Sequence, residues 1–162
     1  MDPKKTVLIV DDEPHLRLLY ETEFRRAGFA ALTAADAQQG IECVAALHPD
    51  LVVLDIRMPG MDGIEVLQRI HDRDCRIPVV LNTSYASYSR NFLTWVADAF
   101  VTKSSDVTEL LRTVAGLLRT GPRRRDRAQR VRAVRGATGA SRREASTSTS
   151  RLREPTQRAA RR

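Results

Sequence analysis

Apolar residues follow two rhythms along this chain. Three runs show no polar alternation and read as strands buried on both faces: Thr6-Val7-Leu8-Ile9-Val10, Leu51-Val52-Val53-Leu54 and Pro78-Val79-Val80-Leu81. Two shorter runs, Phe29 to Thr33 and Ala99-Phe100-Val101, join them as strands. The second rhythm is helical. Leu16, Leu19, Tyr20, Phe24 and Ala27 predict a helix over 14–27, with Pro14 in its first turn and Gly28 as its stop. Asp36 reads as the N-cap of a second helix carrying Ile41, Val44, Ala45 and Leu47, which closes at His48-Pro49. Asp62 caps a third, marked by Ile64, Val66, Leu67 and Ile70, and a fourth over about 86–97 is sparsely marked by Phe92, Leu93 and Val96. The last has the clearest stripe: Val107, Leu110, Leu111, Val114, Leu117 and Leu118 follow a capping box of Asp106 and Glu109, and Thr120-Gly121-Pro122 ends it.

Strand and helix thus alternate five times in about 120 residues, with no connection suited to a hairpin. That pattern predicts an α/β domain with a parallel sheet covered by helices on both faces, long enough to bury its own core. Charge marks where the domain stops. Residues 1–120 carry 13 Lys+Arg against 17 Asp+Glu, a net of −4, whereas residues 121–162 carry 14 Arg against 3 acids, a net of +11. The basic balance of the whole chain is a property of the second segment, which has too few large apolar residues to build a core and reads as a disordered Arg-rich tail. The chain holds no apolar run near the roughly 18 residues that span a membrane, and no signal-peptide core precedes the first strand, so a cytoplasmic protein is expected. Cys43 and Cys75 lack CxxC spacing and a His cluster, and read as small buried or half-buried apolar residues.

The ends of the buried runs carry the chemistry. The first runs into Asp11-Asp12-Glu13, the third into Asp55, the fourth into Asn82-Thr83-Ser84 and the fifth into Lys103. In an open parallel sheet those ends line one edge, so Asp11, Asp12, Asp55, Thr83 and Lys103 are expected to converge. Three carboxylates in one place call for a cation, and an all-oxygen set with open positions suits Mg²⁺. A lysine and a hydroxyl beside it provide what a phosphoryl group needs, and Asp55 can then act as a nucleophile that becomes an aspartyl phosphate.

Val-Asp-Asp-Glu-Pro at 10–14, Leu-Asp-Ile-Arg-Met-Pro-Gly-Met-Asp-Gly at 54–63, Thr83 and Lys103 together resemble the receiver domain of two-component response regulators, over residues 5 to about 120. The resemblance implies a doubly wound five-stranded sheet in the order 2-1-3-4-5. It makes Asp55 the phosphorylated aspartate, Asp12 a direct Mg²⁺ ligand with Asp11 acting more through water, and the backbone carbonyl of Arg57 a further ligand. Lys103 becomes the phosphate-binding lysine, Thr83 the hydroxyl that closes on the phosphoryl group, and Phe100 the aromatic that turns inward when it does. It also implies a sensor histidine kinase or phosphotransfer protein as donor, and a non-enzymatic phosphoacceptor that assists its own Mg²⁺-dependent phosphorylation and dephosphorylation. Two positions depart from the family pattern: Ser104 follows the lysine where a proline after a cis bond is usual, and Ser84-Tyr85 follows the switch hydroxyl where a smaller residue is usual.

The expectation is therefore a stand-alone receiver at 1–120 that signals by binding a downstream protein. A rival reading makes the tail at 121–162 a phosphorylation-controlled nucleic-acid binder through phosphate contacts; without interleaved aromatics it is the weaker one. A haloacid-dehalogenase-like phosphatase would want an aspartate two residues after the nucleophile, where Arg57 stands. His15, His48 and His71 are expected to be solvated, and Trp95 with Tyr88 to pack at the edge of the fourth helix.

Overall fold

A computed structural model describes residues 4–84 and 97–120, apart from the side chain of Asp62. Residues 86–96 of the helix expected over 86–97, with Tyr85, Tyr88 and Trp95, the cap role of Asp62 and the tail expected at 121–162 lie outside the described residues; Ala97 is buried and not helical. Along the chain run β1 (Thr6–Val10), α1 (Pro14–Arg26), β2 (Ala30–Ala34), α2 (Ala37–Leu47), β3 (Leu51–Leu54), β4 (Arg57–Met58) and β5 (Met61–Asp62). They are followed by α3 (Gly63–Arg73), β6 (Val79–Thr83), β7 (Ala99–Thr102) and α4 (Thr108–Thr120). Five strands form one parallel sheet in the order β2-β1-β3-β6-β7, which is the doubly wound arrangement expected.

Strand alternation divides the core into two layers. Leu8, Val10, Val52, Leu54, Val79 and Leu81 face α2 and α3, where Ile41, Val44, Val66, Leu67 and Ile70 are buried against them. Val7, Ile9, Leu51, Val53, Val80 and Val101 face α1 and α4, packed on Tyr20, Phe24, Leu110 and Val114. Burial on both faces explains the unbroken apolar runs.

Some boundaries differ from the pattern. β2 begins one residue later than expected because Ala30 N–H donates to the Lys5 carbonyl at 2.9 Å and sets the register Thr6↔Ala30. Phe29 instead donates its N–H to the Phe24 carbonyl, and its ring meets that of Phe24 edge-on at 5.9 Å. Asp36 caps α2 as expected, accepting from Gln39 N–H at 2.8 Å while Gln39 Oε1 accepts from Ala35 N–H at 3.0 Å. The capping box expected at α4 is replaced by a shorter device. Val107 C=O accepts the first helical bond, from Leu111, and Asp106 Oδ1 accepts from Thr108 N–H two residues on, so Asp106 forms a turn ahead of the helix. Cys43 is half-buried as expected, whereas Cys75 is exposed; His71, in the last turn of α3, is half-buried rather than solvated.

The segment after β3 contains a feature that apolar periodicity does not reveal: β4 and β5 pair as a small antiparallel ribbon, Arg57↔Asp62 and Met58↔Met61, around Pro59-Gly60. Gly60 has φ of +88°, the conformation a turn with proline at its first central position demands of the second. The ribbon returns the chain so tightly that Gly63 N–H donates to Ile56 C=O at 3.1 Å. A Cβ on Gly63 would sit 2.6 Å from the Ile56 Cα. Backbone atoms cannot yield there, so Gly63→Ala is expected to destabilise the domain by about 1–3 kcal/mol in urea unfolding.

Candidate functional site

Three strand ends deliver one cluster. Alternation carried one residue beyond β1 and β3 turns Asp11 and Asp55 toward the α1/α4 side, as it does Lys103 after β7. There the Lys103 ammonium donates to Asp11 Oδ2 and Asp55 Oδ2, each at 2.8 Å, and reaches Glu13 Oε1 at 3.3 Å. The Lys103 side chain is only 6% exposed. Its root is fixed by Lys103 N–H donating to Thr83 C=O at 2.8 Å, which joins the ends of β7 and β6.

The second oxygen of each carboxylate is held by backbone. Asp11 Oδ1 accepts from Glu13 N–H at 3.0 Å and Asp55 Oδ1 from Arg57 N–H at 3.1 Å. Arg17 on α1 donates to the Asp11 carbonyl at 2.6 Å and fastens the helix to the site. Asp12 is half-buried beside them, and one oxygen from each of Asp11, Asp12 and Asp55 lies within 4.8 Å of the others. An open cleft of about 680 Å³, lined by Asp12, Ile56, Arg57, Met58, Pro59, Gly60 and Met61, adjoins this set. All-oxygen donors beside an open cleft fit a hard divalent cation that retains water ligands.

Burial and charge oppose each other here. Burial pushes the Asp11 carboxyl above its ordinary 3.8, and the Lys103 hydrogen bond and the Glu13 N–H only partly offset it. Burial also works against the Lys103 charge, but the hydrogen bonds and charges of Asp11 and Asp55 outweigh it and hold its pKa above that of an ordinary lysine. A carboxyl with a raised native pKa binds more protons folded than unfolded, so stability falls as pH rises from 3.8 through the raised value. In chelator-containing buffer Asp11→Asn should lack that fall and unfold at higher urea than wild type at pH 7; the difference between the two proteins should vanish below pH 3.8.

Thr83 and Phe100 lie on the other face of the sheet, toward α2 and α3, Phe100 partly buried against that layer. Thr83 is 1% exposed, and its hydroxyl has no hydrogen-bond partner among the described residues. No peptide bond among them is cis, so Lys103-Ser104 is trans. Of the residues expected from sequence, the structure brings Asp11, Asp12, Asp55 and Lys103 together, sets Arg57 at the cleft and Thr83 at the adjoining strand end. Glu13 and Arg17 were not anticipated as site residues; a third acid directly after the Asp pair was the available signal for Glu13.

A doubly wound parallel sheet with an acidic pocket and a buried lysine at the carboxyl ends of its strands defines the class. The sequence profile of the response regulator receiver domain matches residues 7–115, and the chain belongs to that family. It is 39% identical over 106 residues to the regulatory protein AtoC of Escherichia coli, covering 64% of this chain and 23% of AtoC. It is 42% identical over 79 residues to sporulation initiation phosphotransferase F of Bacillus subtilis, covering 49% of this chain and 64% of that protein. The chain thus spans less than two thirds of either relative. Among solved structures, the response regulator TrrA of Thermotoga maritima, in complex with Mg²⁺-BeF, superposes with a TM-score of 0.67 at 35% identity over 70% of this chain and 98% of TrrA. A CheY-like receiver of Methanospirillum hungatei gives 0.69 at 26% identity over 73% and 96%. TrrA has also been solved in complex with the histidine kinase ThkA; that match gives 0.66 at 36% identity over 70% of this chain and 98% of TrrA. No helix among the described residues is long and apolar enough to cross a membrane.

Proposed function

We propose that this chain is a phosphoacceptor: Asp55 takes a phosphoryl group from a sensor histidine kinase or phosphotransfer protein, and the phosphorylated domain signals by binding another protein. The observation that carries the reading is Lys103, almost wholly buried yet bound at 2.8 Å to carboxylates from two different strands, beside an open cleft. Removing a lysine and two aspartates from water is costly, and a hydrophobic trio would pack as well. Their retention suits a site that must present a nucleophile and a cation to an incoming anion.

Asp55 Oδ2 attacks phosphorus, the new O–P bond forms as the P–N bond to the donor's phosphohistidine breaks, and the imidazole leaves as a neutral ring once protonated. Lys103 shifts from the carboxylates to the phosphoryl oxygens, where it neutralises charge. Asp11, Asp12, Asp55 and the carbonyl of Arg57 would hold Mg²⁺, which when bound supplies further neutralisation of the transferring group. The Mg²⁺-BeF complex of TrrA supports that assignment, and its complex with ThkA supports a kinase as donor. The Thr83 hydroxyl, which has no hydrogen-bond partner among the described residues, then turns to the phosphoryl group, Phe100 moves inward into the space it leaves, and the surface around β7 changes for a downstream partner. The domain assists its own phosphorylation and dephosphorylation and turns over no other substrate.

The reading takes residues 1–120 as the receiver, 121–162 as an Arg-rich extension, and the cytoplasm as the compartment where a kinase's phosphohistidine is available. Intact-protein mass spectrometry after incubation with Mg²⁺ and acetyl phosphate tests it: one phosphoryl group per chain is expected, cleavable by hydroxylamine as an acyl phosphate. A chain that takes up none, while a known receiver does so in parallel, defeats the proposal.

A further inference from the structure

Beneath the acidic cluster the α1/α4 layer holds two polar side chains among apolar neighbours. Asn82 stands in β6 between Leu81 and Thr83 and is 2% exposed. Tyr20, on the inner face of α1, is 1% exposed and packs among Val7, Ile9, Val53, Val80 and Val101. Register places Asn82 opposite Val101, and continuing Leu54↔Leu81 by one step brings it level with Asp55, on the same face. Asp11, Asp55 and Asn82 therefore form one transverse row across three adjacent strands, and Tyr20 covers it from α1.

The Tyr20 hydroxyl lies beside the Asn82 carboxamide, near enough for the amide to influence its ionisation, and within the fields of Lys103, Asp11 and Asp55; burial is the largest effect and raises its pKa. By distance and angle, however, Asn82 Nδ2 has no hydrogen-bond partner among the described residues. A buried donor left unmade is costly, and leucine at this place would avoid that cost. A polar residue kept at a destabilising position next to a reacting group points to a use in another state of the site.

We propose that Asn82, steadied by Tyr20, is a positioning residue for the phosphorylated form of Asp55, its Nδ2–H being a donor unused in the resting site and engaged once Lys103 has moved to the phosphoryl group. The inference rests on the phosphoacceptor reading above. In the resting site Lys103 neutralises the row from above. When it follows the phosphoryl group outward, the inner side of the row loses its cation, and the amide is the donor placed level with Asp55 to replace it. Tyr20 prevents the amide from rotating away into the apolar layer.

The full chain, with Mg²⁺ and the phosphoryl mimic beryllofluoride, provides a readout independent of turnover. Thermal unfolding with increasing beryllofluoride measures affinity for the phosphoryl-like state through the shift in Tm. Without it, Asn82→Leu should melt at or above the wild-type temperature; with it, affinity should be about tenfold weaker, the loss of one charge-assisted hydrogen bond. Tyr20→Phe keeps the ring's packing and should weaken affinity about threefold, and the double variant should be no weaker than Asn82→Leu, because the tyrosine acts through the amide. Wild-type affinity in Asn82→Leu overturns the inference. If that variant is less stable than wild type without the mimic, Tyr20→Phe decides, and its unchanged affinity overturns the inference equally. A wild type that beryllofluoride stabilises no more than it does Asp55→Asn removes the phosphoacceptor reading itself, which separates the two failures.

Discussion

Asp55→Asn is expected to abolish phosphoryl uptake from acetyl phosphate or a kinase while leaving the fold intact. The asparagine carbonyl can still accept the Arg57 N–H that Asp55 Oδ1 accepts at 3.1 Å. Lys103 retains Asp11 at 2.8 Å and Glu13 at 3.3 Å as counter-charges. What the substitution removes is the proposed nucleophile, since a neutral amide oxygen cannot form a stable acyl phosphate. The loss should therefore be complete rather than graded, seen as no added phosphoryl group in intact mass, with an unchanged urea midpoint or a higher one. Phosphorylation that persists in this variant would place the acceptor elsewhere and sink the assignment.

Lys103→Met carries the second large effect, and it falls on stability as well as on chemistry. The methionine side chain fills similar space but leaves Asp11 and Asp55, 2% and 4% exposed, facing each other without the ammonium. Breaking a buried pair by removing one partner costs about 3–5 kcal/mol, because the remaining charge stays desolvated. In metal-free buffer at pH 7 the variant should lose about that much in urea unfolding. Without the lysine, the already raised Asp11 carboxyl should rise further, so the deficit should shrink as pH falls and Asp11 takes up a proton. Mg²⁺ should restore part of the stability at neutral pH. Phosphoryl uptake should nevertheless stay about a hundredfold slow, as expected when a positioned donor to the transferring group is lost. A variant as stable as wild type at pH 7 would mean that water, not Lys103, neutralises the two carboxylates.

Unbroken apolar runs announce strands with both faces covered, and each strand's alternation is local, so which residues stand at strand ends follows from the sequence. Asp11, Asp12, Asp55, Thr83 and Lys103 were therefore legible as an edge, and the resemblance to receivers arranged them around it. β2 slipped by one residue because its start is set by a bond to Lys5 on the neighbouring strand, which periodicity cannot see. The α4 capping box failed for a similar reason: Asp106 and Glu109 have the right spacing, but the helix begins two residues beyond Asp106 and the aspartate closes a turn instead.

By itself, then, the sequence determined a five-strand α/β plan, its acidic and basic segments, and the set of groups gathered at one edge, because spacing along the chain fixes face and order. Only the tertiary structure decided how those groups are used. It buried Lys103 between Asp11 and Asp55, sent Asp12 toward the cleft, and left Thr83 Oγ1 and Asn82 Nδ2 without hydrogen-bond partners among the described residues. These outcomes depend on which strands become neighbours and in what register, and residues such as Lys103 and Asp55 meet only after the crossovers of the sheet have brought their strands to opposite sides of one pocket.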